Sequence, residues 1–492
     1  MSKILLNKGL VMKKFLKVLM CVCLVVCTCF TLVGCKDVVW SKTTNDTTKV
    51  LEGSNGGIVL QYNGYIYFVN GTKEPTNDNV ASSHVQSAIY RVKVDDAGEI
   101  YHDVEVEGKD GKETKKELNK CERLVSSIAG FESGSIYIFG DYLYYATPCS
   151  GRDDSGNYYY QRVEFRRYDL VNKNDQLLYT TKQSDDTISY AYLKKGASLN
   201  LAIFEKGPKT LKVLKIDGDV KVNFTKKEVV SAIFSQNYGE NQVQDSIADQ
   251  YIYYTLSYDP ETESGGNRVF AITVDGKTEL QLTQGNGSSV SLLSVEYGYV
   301  IYAADSTVYA QKMIDTTEEL SFDDEKIVCT KQYENVIFVE GENNLIALVY
   351  ENTTLRSIYW DESVNGSTSD KLVSNTIVEL PASTKITFIG VDGDYVFYKT
   401  SSLIYKIKYK NIQTADDKVQ VKLSTTKIDD AKEMMVPEIM DGYIYGFYTD
   451  SSAKTTYLYR INILTPMERN ELDEDGEPIT EVGEAELVGV KE

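Results

Sequence analysis

Gly140-Asp141-Tyr142-Leu143-Tyr144-Tyr145 is the stretch from which the architecture of this chain can be read. A turn pair is followed by four bulky aromatic and aliphatic residues, the composition of a strand. The run returns as Tyr65-Ile66-Tyr67-Phe68, Tyr251-Ile252-Tyr253-Tyr254, Tyr299-Val300-Ile301-Tyr302, Tyr395-Val396-Phe397-Tyr398 and Tyr443-Ile444-Tyr445. Weaker copies stand at Leu199 to Phe204 and Leu345 to Tyr350. Successive copies start 77 residues apart once, then 46 to 57 apart. A near-constant period of this size marks a repeat array.

Most copies are followed by a second alternating run, among them Ala88-Ile89-Tyr90-Arg91-Val92, Val269 to Val274, Leu403 to Ile407 and Tyr457-Leu458-Tyr459-Arg460-Ile461. Asn63-Gly64, Asp217-Gly218, Asp275-Gly276, Asp392-Gly393 and Asp441-Gly442 supply residues that tolerate the positive φ of tight hairpins. A unit of this length holds four antiparallel strands, and such a sheet cannot bury both apolar faces alone. Stacking the sheets around an axis buries both faces, and joining last to first removes the open ends. The expected fold is all-β: one β-propeller over residues 51–492, with about eight four-stranded blades, or seven if the Leu199 copy is discounted. A linear solenoid would show shorter repeats, and two sandwiches no common period. The run Ile479 to Val490 is expected to pair near Ile58 to Gln61 and close the ring.

Gly140 to Tyr145, with Leu458-Tyr459-Arg460-Ile461 and Ile272-Thr273-Val274-Asp275-Gly276, resembles the low-density-lipoprotein-receptor-like β-propeller domain of bacterial lipoproteins. The resemblance covers most of residues 51–492 and implies a fold and an extracytoplasmic place, with no established activity. The Tyr-Trp-Thr-Asp signature of the receptor propellers is absent, so receptor-type ligands are not implied.

The N-terminus supplies an address. Residues 1–34 carry Lys3, Lys8, Lys13, Lys14 and Lys17, no acid, and an apolar run from Val18 to Val33. A basic start, an apolar centre and a small residue before the cut define a secretory signal. The apolar run is shorter than the ~20 residues that cross a bilayer. Leu32-Val33-Gly34-Cys35 resembles the lipobox of bacterial lipoproteins, which implies acylation of Cys35 and cleavage before it. Met12-Lys13-Lys14-Phe15 is an alternative start to Met1. Losing five lysines and no acid moves the formal net charge from -20 to -25. Residues 35–50 then form the lipidated cysteine and a flexible tether, placing the body outside the cytoplasm on a membrane. Stable attachment takes more than one acyl chain, and the diacylglycerol that the resemblance implies supplies it.

Composition narrows the chemistry. With 72 Asp and Glu against 52 Lys and Arg, no nucleic-acid partner is expected, because phosphate binding rests on basic side chains. Two histidines, His84 and His102, leave little for imidazole catalysis or zinc, and both are expected at the solvated surface. Cys121, Cys149 and Cys329 remain outside the signal; a Cys121–Cys149 pair or isolated thiols are both compatible with their spacing. Asp153-Asp154-Ser155-Gly156-Asn157 and Asp473-Glu474-Asp475-Gly476-Glu477 alternate oxygen ligands as calcium loops do. Neither has glycine at the sixth position, so solvated turns are the preferred reading. No metal or cofactor and no catalytic residue is assigned. Most of the 37 tyrosines belong to strands, with Tyr158-Tyr159-Tyr160 as a candidate exposed loop cluster. The function expected is a membrane-anchored, non-catalytic binding or scaffold protein for a peptide, protein or glycan. The alternative is a cell-surface enzyme acting on carbohydrate or peptide through carboxylates on the propeller face.

Overall fold

The computed structural model describes residues 51–53, 57–71, 87–95, 99–108, 111–125, 136–152, 158–181, 188–234, 251–257, 266–283, 290–315, 320–341, 344–367, 370–382, 384–400, 403–425, 438–450, 455–473 and 476–490. The chain divides into a unit ending at Asp46 and a unit from Thr47 to Glu492. The signal residues 1–34, the lipobox Leu32, Val33, Gly34 and Cys35, and the tether to residue 50 lie outside the described residues.

Eight antiparallel sheets follow one another along the second unit, each built in chain order, as the repeat requires. Blade 1 is Val59–Tyr62, Tyr65–Val69, Ile89–Lys93 and Cys121–Val125. Its last two strands are separated by a hairpin of Tyr101–Gly108 and Gly111–Leu118. Blade 2 is Ile136–Phe139, Tyr142–Arg152, Tyr158–Asp169 and Asp175–Thr180. Blade 3 runs from Ile188–Lys195 to Lys221–Lys226, blade 4 from Val229–Phe234 to Glu279–Gln281. Blade 5 runs from Val290–Glu296 to Lys326–Cys329 and carries the extra strand Leu320–Phe322. Blade 6 runs from Asn335–Glu340 to Leu372–Glu379, and blade 7 from Ile386–Asp392 to Val421–Lys422. Blade 8 is Glu438–Met440, Tyr443–Asp450, Thr455–Asn462 and Glu486–Leu487. The weak copy at Leu199 is the second strand of blade 3, Ser198–Glu205, so the count is eight.

The aromatic runs are second strands, and their alternation explains why every position is bulky. Tyr251 and Tyr253 face blade 5, whereas Ile252 and Tyr254 face blade 3. In the next blade Val300 and Tyr302 turn back to blade 4, and Tyr299 and Ile301 turn to blade 6. A sheet buried on both faces has no polar side to alternate with. Across the hairpin, Phe68, Tyr254, Tyr302 and Tyr398 stand directly opposite Tyr90, Phe270, Tyr309 and Tyr405. These rings stack at 5.7 to 6.1 Å, geometry worth ~0.5–1.5 kcal/mol per pair beyond burial. Several second-strand hydroxyls reach residues just before or at the fourth strand, Tyr145 donating to Asp175 at 3.0 Å and Tyr398 to Gln420 at 2.9 Å, whereas the buried Tyr254 hydroxyl has no hydrogen-bond partner among the described residues.

A buried cation on the third strand repeats as well. Arg91, Arg167, Lys406 and Arg460 lie over the first tyrosine of the second strand, Tyr65, Tyr142, Tyr395 and Tyr443, at 4.4, 4.7, 4.8 and 4.0 Å. Three of them reach into the next blade. Arg167 donates to the Ile216 carbonyl at 3.2 Å, Lys406 to the Ile463 carbonyl and Glu468, and Arg460 to Glu99. These three are at most 2% exposed, whereas Arg91 is partly exposed.

Ring closure differs from the expected pairing. Glu486–Leu487 pairs with the third strand of its own blade, and Val59–Tyr62 pairs only within blade 1. A strand shared between first and last blades is therefore not what joins them. Blades 8 and 1 instead share one apolar cluster, in which Phe447, Leu458 and Val488 pack with residues of blade 1. Polar contacts fix the seam: Asn70 exchanges two hydrogen bonds with the Val490 backbone at 2.8 and 2.9 Å, and the Ile58 amide donates to Glu438 at 2.8 Å. Gly489 permits this approach, because a Cβ there would lie 2.6 Å from Asn70 Oδ1 and 3.0 Å from the Leu458 nitrogen. Leu51–Glu52 adds to the free edge of Ile136–Phe139 in blade 2.

Of the five turn dipeptides, Asn63-Gly64 and Asp441-Gly442 have both residues at positive φ, as type I′ hairpins demand. Gly276 and Gly393 are positive alone, and Gly218 is not, so the fifth is an ordinary turn.

Candidate functional site

First strands of successive blades contact one another around the axis, which makes them the innermost elements. Three of them break register: blade 4 between Val229 and Ser231, blade 5 between Leu292 and Ser294, and blade 7 between Phe388 and Gly390, the last two at the same level. A bulge inserts one residue and re-aims its neighbours, and bulges concentrate beside functional sites. The extra residues of blades 5 and 7, Leu293 and Ile389, both line a cavity of about 510 Å³ formed by blades 5, 6 and 7. That volume lies within the ~300–1,000 Å³ of small-ligand sites.

Val308, Val336, Phe338 and Val391 line it, with the rings of Tyr297 and Tyr333. The polar side chains are Ser294 and Glu296 on one wall and Gln332 on another. Glu296 and Ser294 point to the same side of their strand, and the Ser294 hydroxyl donates to the Glu296 carboxylate. Burial raises the Glu296 carboxyl above its usual range, against the opposing pull of Ser294. The following residue, Tyr297, holds φ at 50°, a left-handed conformation that is uncommon for a bulky side chain. Asn63 and Asp441 occupy the matching turns of blades 1 and 8 at no such cost. Burial, with Glu296 and Glu340 nearby, pushes the Tyr297 hydroxyl up to about 12. Glu340 acts on Tyr299 and Tyr409 in the same sense.

Cys329 closes the outer wall. It is 1% exposed, and burial pushes its thiol up to about 12, so it behaves as a small apolar group. Cys121 is also a free thiol, pushed up to about 11 by burial, so the Cys121–Cys149 pair is not formed. A second, more polar hollow between blades 6 and 7 is bordered by the turn in which Asp417 accepts the Gln413 and Thr414 amides at 2.9 and 2.8 Å.

The other sequence candidates fall elsewhere. Tyr158, Tyr159 and Tyr160 open the strand Tyr158–Asp169 rather than a loop. His102 lies exposed on the blade 1 hairpin, its Nδ1 2.9 Å from Asn119 Oδ1, whereas His84 lies outside the described residues. The Asp153 loop is outside them too. Asp473 accepts the Glu477 amide at 2.9 Å within a turn closed on itself. Sequence reading missed Glu296 and Ser294. The available signal was Glu296-Tyr297-Gly298, where a tyrosine replaces the Asn or Asp of the other hairpins.

No protein-family model matches the chain, and no curated protein matches it. Solved structures with similar topology include a functionally unknown protein from Desulfotomaculum acetoxidans, at 12% identity and TM-score 0.34, covering 67% of this chain and 96% of that one. An oligogalacturonate lyase from Vibrio parahaemolyticus aligns at 10% identity and TM-score 0.32 over 85% and 99% of the two chains. The periplasmic gluconolactonase of Pseudomonas aeruginosa aligns at 12% and 0.33 over 76% and 95%. Likeness at this level carries no argument about activity, substrate or partner.

Proposed function

We propose that this chain is a lipid-anchored, extracytoplasmic β-propeller lipoprotein of the low-density-lipoprotein-receptor-like kind, and that its body binds a peptide, protein or glycan without catalysing a reaction. The anchor rests on Leu32-Val33-Gly34-Cys35 behind a basic and apolar leader. The observation that carries the binding reading is the composition of the cavity between blades 5, 6 and 7. Aliphatic and aromatic side chains line it together with Ser294, Gln332 and a single acid, Glu296, which is bonded to a neutral hydroxyl. Glycoside cleavage takes two carboxylates, one on each side of the scissile bond. A lone acid beside aliphatic and aromatic side chains suits recognition.

Two experiments test this. Metabolic labelling with radioactive palmitate should mark the chain, and Cys35→Ala should abolish both the label and membrane association; a labelled C35A chain overturns the anchor. The purified protein is then offered a panel of peptides and envelope glycans. Binding without turnover supports the reading, and turnover abolished by one Asp or Glu substitution replaces it with the enzyme.

A further inference from the structure

We infer that the cavity between blades 5, 6 and 7 takes a cationic group on an apolar body, a lysine or arginine side chain of a peptide, with Glu296 as its counter-charge. This rests on the binding reading above and narrows it from three ligand classes to one.

Glu296 is only partly exposed, and an acid drawn out of water is penalised unless it is paired; the Ser294 hydroxyl satisfies one acceptor position of several. An ammonium or guanidinium brings both the missing charge and the missing donors, and pairing in a water-poor site strengthens the contact. Neither a neutral sugar nor an anionic ligand offers that. No lysine or arginine lines the cavity. The charged neighbours acting on Tyr297 are Glu296 and Glu340, both acidic. The nearest basic group facing a lining ring, Lys331, lies 4.9 Å from the centre of Tyr333 and is already paired with Glu351 at 2.5 Å. Aromatic rings complete the fit, since a cation gains from a ring face while its alkyl stem packs on aliphatic walls. Tyr297 and Tyr333 supply rings, and Val336, Phe338 and Ile389 the apolar surface. The left-handed Tyr297 and the paired bulges are what bring these groups to one place, and such local strain persists where a site needs it.

The test is calorimetry on the full purified chain with three probes: acetyl-Leu-Arg-amide, its neutral analogue acetyl-Leu-norleucine-amide, and a chitin oligosaccharide. The arginine peptide should bind at least ~10-fold more tightly than the norleucine peptide, a difference of ~1.4 kcal/mol. Glu296→Gln, which keeps shape and the Ser294 contact, should erase that difference, whereas Glu362→Gln, outside the cavity, should leave it. Equal binding of both peptides, or an unchanged preference in E296Q, overturns the cationic ligand while leaving the binding reading in place. Preference for the oligosaccharide does the same. Absence of binding by all three overturns the inference, and the wider panel then decides the reading beneath it.

Discussion

Arg460 is the side chain on which the closure of the ring can be tested. It is fully buried on the third strand of the last blade. Its Nε donates to Glu486 of the same blade at 2.7 Å, and its Nη2 to Glu99 of the first blade at 2.8 Å. The guanidinium also lies 4.0 Å from the centre of the Tyr443 ring. Arg460→Met keeps most of the stem and removes the charge, both hydrogen bonds and the cation–π contact. Hydrogen bonds to charged groups contribute ~1.5–3 kcal/mol each, and a desolvated cation–π contact ~2 kcal/mol. The carboxylates remain 42% and 40% exposed, so they rehydrate rather than stay stranded, and the methionine recovers apolar burial. The expected net loss is about 2–4 kcal/mol, below the sum of the parts. Urea unfolding of the purified chain, followed by tyrosine fluorescence and by circular dichroism, measures it. Both probes should shift together to a lower midpoint with an unchanged slope, because a ring opened at one seam exposes two blade faces at once. A midpoint within ~0.5 kcal/mol of the native protein would refute the reasoning and leave closure to apolar packing alone.

Further outcomes follow from the same geometry. Gly489→Ala forces a Cβ to within 2.6 Å of Asn70 Oδ1 and should destabilise by ~1–3 kcal/mol, measured by thermal melting; a neutral result would mean that the Asn70–Val490 exchange is dispensable. Tyr398→Phe keeps the stack on Tyr405 and loses the hydroxyl bond to Gln420, a cost of ~0.5–1.5 kcal/mol in urea unfolding, whereas Tyr398→Ala should cost ~3–5. Glu296 has its carboxyl raised by burial, so the folded state holds its proton more tightly than the unfolded state. That contribution is complete below the unfolded carboxyl range and is lost as pH rises through the folded value. Glu296→Gln should therefore gain melting temperature relative to native at pH 8, with the gain closing toward pH 4; a pH-independent difference would contradict it. Glu468, lowered by Lys406 and the Thr465 amide, works in the opposite sense, and Glu468→Gln should cost stability at pH 7 and little at pH 3.

The sequence made the blades legible because two independent codes agree in each repeat. The four-residue aromatic run marks the second strand, and its lack of a polar alternation already implies a sheet covered on both faces. The weak copy at Leu199 belongs to the same series because Leu199, Leu201 and Ile203 do apolar packing that tyrosines do elsewhere, without their hydroxyl requirements. Closure was misread for a physical reason: Ile479 to Val490 has strand composition, but composition does not say which edge a strand meets. The free edge it meets is the third strand of its own blade, whereas Asn70 and Glu99, remote in sequence, hold the seam through single side chains that no periodicity reveals. The cavity was illegible for a similar reason. Its acid is one of 72, and what sets it apart is burial produced by register shifts in two blades about a hundred residues apart. The tyrosine at 297 was the local trace of it.

Seam and cavity together suggest how an eight-fold repeat comes to carry one site. An ideal array has identical interfaces, and a cavity between two blades would be filled by the packing that recurs between the others. Here cross-strand aromatic stacks recur in blades 1, 4, 5 and 7, and third-strand cations over the first tyrosine in blades 1, 2, 7 and 8. Blades 3 and 6 carry neither among the described residues: Leu201 stands opposite Leu214, and Val349 opposite Arg356. What blade 6 adds is its neighbours, whose first strands are bulged at the same level with both extra residues lining the cavity. A blade without the stack therefore stands between two strands bulged at one level. A new aromatic pair there, by Leu355→Tyr against Tyr350, should add a cross-strand stack on the blade 6–7 face without touching Glu296. Deleting the extra residue at Leu293 should instead straighten the blade 5 strand and take its apolar side chain out of the cavity wall, while Ser294 and Glu296 keep their partners Ile301 and Tyr299. If the sector is built for recognition, the first change leaves ligand binding intact and the second abolishes it with the ring still folded by circular dichroism. Equal loss from both would mean that the sector is merely a weak place in the array.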